Sequence, residues 1–321
     1  DSIFSVSQKK NIFNFDHFKG AIMKKVLIIG STVVDIIVNL VDSLPKTGED
    51  VHIRSQHMSL GGCAYNVSDS VRHFQVPYIL FSPVGQGVYG HFVREELKKR
   101  GISSPIPSPD AENGCCYCFV EKSGERSFVS YHGAEYLFEK NWFDLVDVSE
   151  IDSVYICGLE IEEKTGINIV EFLEKNPQLT VFFAPGPRLT VIDPALTERI
   201  YKLSPVLHLN ETEALEVSGE ADISKAGAYL YRKTHNTVII TLGEKGCYYY
   251  NGKKEEIIAP IPAIQADTIG AGDSHIGSVI ACLKKGDSIP VAISKANRVS
   301  SAVVATSSAL LPDEDFQKLN I

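Results

Sequence analysis

The sequence predicts an α/β protein: a Rossmann-like, mostly parallel central sheet covered by helices, with a small β-sheet lid. From Lys25 onward short apolar runs alternate with amphipathic helical stretches, the pattern of a parallel sheet buried on both faces. Extra strands near 33–60 and 113–133 break that alternation and read as a separate sheet. With 321 residues and 44% apolar content, the chain is long enough for one large core.

The elements follow in order. Val26-Leu27-Ile28-Ile29-Gly30 is a continuous apolar run ending in glycine, as expected of a buried strand. Residues 33–41 and 51–60 read as strands separated by the turn Pro45-Lys46-Thr47-Gly48-Glu49-Asp50. A helix from Cys63 to Phe74, a strand at 78–84 and a helix at 90–100 come next. Strands 115–121 and 126–131 flank Ser123-Gly124-Glu125, a hairpin signal. In the second half, strands 153–157, 180–184, 206–209 and 237–241 alternate with helices 164–174, 193–201, 211–218 and 222–234. A hairpin at 246–258 and helices at 273–285 and 290–305 complete the chain. Met23-Lys24-Lys25 opens the first strand, so residues 1–22 read as a leader or extension and 23–321 as one domain.

Composition narrows the function. A formal net charge of −9 argues against nucleic acid or an anionic membrane as the main partner. No apolar run approaches the ~20 residues that span a bilayer, and residues 1–22 lack the apolar core of a signal peptide. The 7 cysteines are spread from Cys63 to Cys282, which fits reduced thiols in the cytoplasm rather than a disulfide framework. Cys115, Cys116 and Cys118 cluster without histidines at metal-site spacing, and read as a buried strand.

The most informative stretch is Asp267-Thr268-Ile269-Gly270-Ala271-Gly272-Asp273, which leads straight into a helix. Small residues let backbone N–H groups approach an anion, and the helix N-terminus adds about half a positive charge. Such a cradle suits a phosphoryl group, and Asp273 stands where a carboxylate takes the proton of an attacking hydroxyl. Asp273 also suits a helix cap. Asn210-Glu211-Thr212-Glu213 follows a strand; Asn210 and Glu213 can organise Mg²⁺ and its waters, or form a capping box.

Gly61-Gly62-Cys63-Ala64-Tyr65-Asn66 joins a strand to a helix. Its glycines permit close ligand approach or make an ordinary turn, and Asn66 can bond a hydroxyl. Asp35 and Glu160 are carboxylates suited to vicinal hydroxyls, or plain surface acids. Thr241-Leu242-Gly243-Glu244-Lys245-Gly246 borders a nucleotide or enters a hairpin; it is not a Walker loop. Gly85-Gln86-Gly87-Val88-Tyr89-Gly90 matches the dinucleotide fingerprint, with Asp110 downstream, but Asp110 lies in a loop and this is not the first βα unit.

Together these motifs resemble the ribokinase-like carbohydrate kinases, the PfkB family, over nearly the whole chain from Lys25. Asp267 to Asp273 is similar to that family's C-terminal signature, and Gly61-Gly62 with Asn66 to its N-terminal one. The resemblance implies an ATP- and Mg²⁺-dependent kinase of a sugar or nucleoside, with Asp273 as base and Gly270, Ala271 and Gly272 as anion hole. It implies that Asn210 and Glu213 serve Mg²⁺ and phosphates, and that Thr241, Gly243, Gly246 and Asn297 border ATP. Asp35, Gly61, Gly62, Asn66 and Glu160 would hold the substrate. Asp267 and Ile269 resemble positions that bind a monovalent cation such as K⁺ in some members, and the lid makes a homodimer in several.

Cys63 stands where many members that act on ribose or phosphosugars carry Lys, so a neutral acceptor is expected rather than a sugar phosphate. Arg126 on the lid hairpin is the residue that would hold a phosphate instead. The stretch Gly272 to His275 looks most like a poorly assigned sugar-kinase branch. Two other readings compete: an NAD-linked oxidoreductase built on residues 85–90, and a non-catalytic sugar sensor on the same fold.

Overall fold

Strands composed almost wholly of apolar side chains can lie only where both faces of a sheet are covered. The computed structural model, which describes residues 23–123, 125–262, 269–306 and 308–321, places them there. The first half contains β1 (Lys25–Ile29), β2 (Val33–Leu40), β3 (Ile53–Gly61), α1 (Cys63–His73), β4 (Tyr78–Phe81), α2 (Gly87–Lys99), β5 (Cys115–Val120) and β6 (Arg126–Tyr131). Then come β7 (Ile151–Cys157), α3 (Gly158–Glu162), α4 (Gly166–Lys175), β8 (Thr180–Ala184), α5 (Pro194–Lys202), β9 (Val206–Asn210), α6 (Glu211–Ser218), α7 (Ile223–Thr234) and β10 (Val238–Thr241). The chain finishes with β11 (Cys247–Tyr250), β12 (Glu255–Ile258), α8 (Ala271–Lys284), α9 (Ile289–Val304) and α10 (Asp313–Lys318).

The large sheet has eight strands in the order β12-β11-β10-β9-β8-β7-β1-β4. Pairing is parallel from β10 to β4, and the β11–β12 hairpin closes one edge antiparallel. Alternate residues of each strand point to opposite faces. Val26, Ile28, Tyr155, Phe182 and Ile239 pack with α1, α8 and α9 on one side. Leu27, Ile29, Val154, Phe183 and Ile240 pack with α4 and α7 on the other. Four strands form the second sheet, β3-β2-β5-β6, in which β2 and β5 run parallel and the other pairs antiparallel.

Several boundaries differ from expectation. The strand expected to run to 84 ends at Phe81, before Ser82-Pro83, because proline has no N–H for the ladder. The helix expected at 90 begins at Gly87. Helices α3 and α10 were not anticipated, although Pro312 followed by three acidic residues is a helix-start signal. Cys115, Cys116 and Cys118 do lie on a strand, and all seven cysteines are free thiols. Among the described residues no helix is long and apolar enough to cross a membrane. The leader at 1–22 lies outside the described residues.

Candidate active site

In an open α/β sheet, ligands bind where the strands end at their carboxyl side. Here Cys157, Ala184, Asn210 and Thr241, the last residues of β7, β8, β9 and β10, all line one cavity of about 240 Å³ with Gly272 and Asp273. A larger hollow of about 380 Å³, at the far end of α1 beside α10, contains none of the residues singled out by sequence.

Helix α8 starts from Gly270, whose φ of +74° favours glycine, and whose Cα lies against the Ala309 backbone. No side chain caps this helix among the described residues, so its first N–H groups are not claimed by a neighbouring side chain. A Cβ on Gly272 would meet nothing within 4 Å; the space it would enter is the cavity itself. Asp273, in the first turn, is not a cap. Its Oδ2 accepts a hydrogen bond from Asn66 Nδ2 at 2.9 Å. Burial pushes its pKa up to about 6, and the bonds from Asn66 and Cys63 hold it from going higher. A carboxyl poised near neutral pH is suited to take a proton.

The residues expected on the acceptor side come together around it. A Cβ at Gly61 would overlap the Asp35 carboxylate, and at Gly62, with φ +97°, it would overlap the Ser31 carbonyl. The paired glycines are therefore required by the approach of β2 and of the β1–β2 turn. Asp35 is half-buried, and burial together with the negative charge of Asp273 raises its pKa to about 7. Glu160, in α3, is 1% exposed and accepts from Ser31 N at 2.8 Å through Oε1. Burial raises its pKa. Asn66 Oδ1 and Glu160 Oε2 are buried without a partner among the described residues. A hydroxyl, a water or an N–H group can satisfy such acceptors. Neither acid is a surface group.

Of the residues expected to border the nucleotide and its Mg²⁺, Asn210 and Glu213 do form a capping box on α6. Asn210 Oδ1 accepts from Glu213 N at 2.8 Å and Glu213 Oε2 from Asn210 N at 3.0 Å. Both also line the cavity, with Thr241. Gly243 and Gly246, with φ +58° and +100°, shape the turn from β10 to β11 and do not line it. Asn297 is buried in α9. Its Nδ2 donates to the Ala259 carbonyl at 2.9 Å and its Oδ1 accepts from His275 Nε2 at 3.0 Å. It shapes the segment after β12 rather than facing the cavity.

The sequence from 23 to 315 matches the model of the pfkB family carbohydrate kinases. The chain belongs to that family. It is a carbohydrate kinase, a phosphotransferase with an alcohol group as acceptor. An uncharacterized sugar kinase, YegV of Escherichia coli K12, is 32% identical over 286 residues, 88% of each chain. Ribokinase of Mus musculus is 30% identical over 267 residues, 79% of this chain and 80% of that one. Among solved structures, the ribokinase of Giardia lamblia superposes with a TM-score of 0.80 at 21% identity, covering 92% of this chain and 99% of its own. An Arabidopsis thaliana ribokinase complexed with ribose and ATP gives 0.75 at 18% identity, covering 93% and 99%.

Membership in a kinase family removes the oxidoreductase reading, and the packing of residues 85–90 agrees. Gly85 N donates to Asn113 Oδ1 at 2.9 Å, and a Cβ at Gly90 would overlap the Gly85 carbonyl. These glycines serve a tight turn beside β4, an edge strand of the sheet, and Asp110 lies in a loop. Asp267 lies outside the described residues; Ile269 immediately precedes Gly270.

Sequence reasoning missed three site features. Cys157 stands opposite Cys63, and its hydrogen bond, followed by burial, pushes the Cys63 thiol well up, keeping it neutral beside Asp273. His208 lines the cavity and meets His275 at 2.9 Å. The amide oxygen of Asn297 requires a proton on His275 Nε2, so His275 Nδ1 accepts and His208 Nε2 donates. Burial pushes His275 down to about 4, and burial and the neighbouring ring push His208 down too, so the pair is neutral. The third is Arg188, in the loop after β8, which also lines the cavity. None carried a motif.

Proposed function

We propose that this pfkB-family enzyme transfers the γ-phosphoryl group of ATP to a hydroxyl of a neutral sugar or nucleoside-like acceptor. The observation that carries this reading is Asp273, an uncapped-helix carboxylate held by Asn66 at the cavity wall with a pKa near neutrality. The acceptor hydroxyl gives its proton to Asp273 as its oxygen bonds to phosphorus, and the β,γ-bridging oxygen leaves with ADP. The free N–H groups of Gly270, Ala271 and Gly272 act as the anion hole. Asn210 and Glu213 suit Mg²⁺ through water, and Mg²⁺ supplies charge neutralisation on the phosphates. Thr241, Gly243 and Gly246 would border the nucleotide, and Asn297 supports that wall from behind.

The partnerless oxygens of Asn66 and Glu160, with Asp35, favour a hydroxyl-rich acceptor. A phosphate would meet repulsion there unless Arg126, on β6, closed over it. The known ligands of relatives span this class: ribose for the Arabidopsis ribokinase and inosine for a Burkholderia thailandensis nucleoside kinase. K⁺ near Asp267 and Ile269 would order the anion-hole loop. The second sheet acts as the lid over the acceptor, and its exposed Ile53, Met58, Phe128, Val129 and Tyr131 suit a homodimer. Seven free thiols suit the cytoplasm. The intact Asp273 and glycine loop disfavour a non-catalytic sensor.

ADP release measured against a panel of sugars and nucleosides tests the reading. Asp273→Asn should leave nucleotide binding nearly intact and lower kcat by about 10²–10⁴-fold. A variant within threefold of wild type would reduce Asp273 to a structural residue. Comparing fructose with fructose 6-phosphate, and a nucleoside with its monophosphate, tests the acceptor class. A strong preference for the phosphorylated member would point to Arg126.

A further inference from the structure

We propose that Arg188 is a further catalytic residue of this site, an arginine that Glu162 holds at the point where the phosphoryl group passes from nucleotide to acceptor. This rests on the kinase reading above. Arg188 follows β8, and the sheet order puts β8 between β9 and β7. At the end of β9 and just beyond it stand Asn210 and Glu213, on the nucleotide side; beyond β7 stands Glu160, on the acceptor side. Arg188 therefore lies between the two half-sites, on the same cavity as Gly272 and Asp273.

Its placement is enforced. Nε of Arg188 donates to Glu162 Oε2 at 2.6 Å, and Nη2 forms an ion pair with the same oxygen at 2.6 Å. The Glu162 side chain is 12% exposed and that of Arg188 36%, so a shielded carboxylate anchors a guanidinium that still reaches open space. Among the described residues no hydrogen bond engages Nη1, which leaves a donor edge for an anion. Arg188 is the single lysine or arginine among the described residues that line the cavity. Of the other side chains there, Glu213 and Asp273 bring negative charge, and His208, which burial keeps neutral, brings none. A polyphosphate entering this cavity meets one fixed positive side chain. As the acceptor oxygen bonds to phosphorus and the bridging oxygen departs, charge spreads over the equatorial oxygens, and a planar guanidinium matches two of them. Glu162 is a positioning residue that acts through Arg188.

The test uses the full chain, Arg188→Ala, Arg188→Lys and Glu162→Gln, with two readouts. The first is steady-state kinetics with an acceptor found by the ADP-release panel. Arg188→Ala should lower kcat by about 10²–10³-fold with the KM for ATP changed little. Added guanidinium should restore part of the loss, and Glu162→Gln should lower kcat rather than raise either KM. The second readout needs no acceptor: the affinity for ADP with Mg²⁺, compared with and without beryllium fluoride as the phosphoryl mimic. Wild type should bind the mimic complex more tightly than ADP alone, and Arg188→Ala should lose that gain while keeping its affinity for ADP. If no acceptor is phosphorylated but the gain depends on Arg188, the acceptor reading fails and this assignment stands. Should Arg188→Ala fail to fold, Arg188→Lys, which keeps the charge and loses the fork, is expected to show a smaller loss in the same two readouts. Unchanged kcat, a gain that survives the substitution or is absent in wild type, or a rise confined to the acceptor KM would overturn the proposal.

Discussion

Asn66 should set the pH at which the enzyme switches on. Its Nδ2 donates to Asp273 Oδ2 at 2.9 Å, a bond made to the charged form of the acid. Removing a donor from a carboxylate raises its pKa, and the base must be deprotonated to work, so the acid limb of kcat/KM moves to higher pH. A hydrogen bond to a charged group contributes about 1.5–3 kcal/mol, and one pKa unit corresponds to about 1.36 kcal/mol. Asn66→Ala should therefore displace the limb by about 1–2 units, from about 6 toward neutrality or above. The Cys63 thiol also bonds Asp273 and remains in the variant, which favours the lower end. The assay is ADP release against pH at subsaturating acceptor, which reports the free enzyme. The height of the profile will fall as well, because Asn66 Oδ1 is lost to the acceptor; only the position of the limb reports the base. A limb that stays in place while the height falls would refute the assignment of Asp273 as the titrating base.

Glu213→Gln should keep the capping box, since glutamine serves in it equally, and so leave the melting temperature nearly unchanged while raising the Mg²⁺ needed for half-maximal rate. A loss of thermal stability alone would make Glu213 only a cap residue. Asp35 has a folded-state pKa raised to about 7, so it costs stability as pH climbs from its ordinary value through 7. Asp35→Asn should match wild type in thermal melts near pH 4 and exceed it by several degrees at pH 8; equal melting at both would refute the burial argument. Phe128, 54% exposed on β6, should report the lid interface: Phe128→Asp is expected to convert a dimer to a monomer in light scattering, and a wild-type monomer would refute the dimer. Equal rates in KCl and in tetramethylammonium chloride free of Na⁺ would remove the proposed K⁺ site.

What the sequence could reveal depended on how far apart the cooperating residues lie. The glycine cradle before α8 was legible because backbone conformation, helix terminus and acid occupy one short segment, and physical chemistry acts on that segment without help. Whether Asp273 caps its helix was not legible, because the donor that engages it instead, Asn66, is 207 residues away. Asn210 and Glu213 posed the same ambiguity with the opposite outcome: the capping box is local, it forms, and it leaves both residues at the cavity as well. The lid could be anticipated from strands that broke the βα alternation, yet the parallel pairing of β2 with β5 joins segments with two helices between them and has no local signal. The pair His208 and His275 and the pair Glu162 and Arg188 are separated by 67 and 26 residues, and each member looks ordinary alone. Arg188 even sits in Pro185-Gly186-Pro187-Arg188, which reads as a plain turn. Its place at the cavity arises only when β8 is threaded between β7 and β9, because that threading carries a turn residue to the same cavity as Gly272 and Asp273. Motifs mark where backbone geometry is demanding. Side chains recruited by topology, which balance charge and tune acidity, become visible only once the sheet order is known.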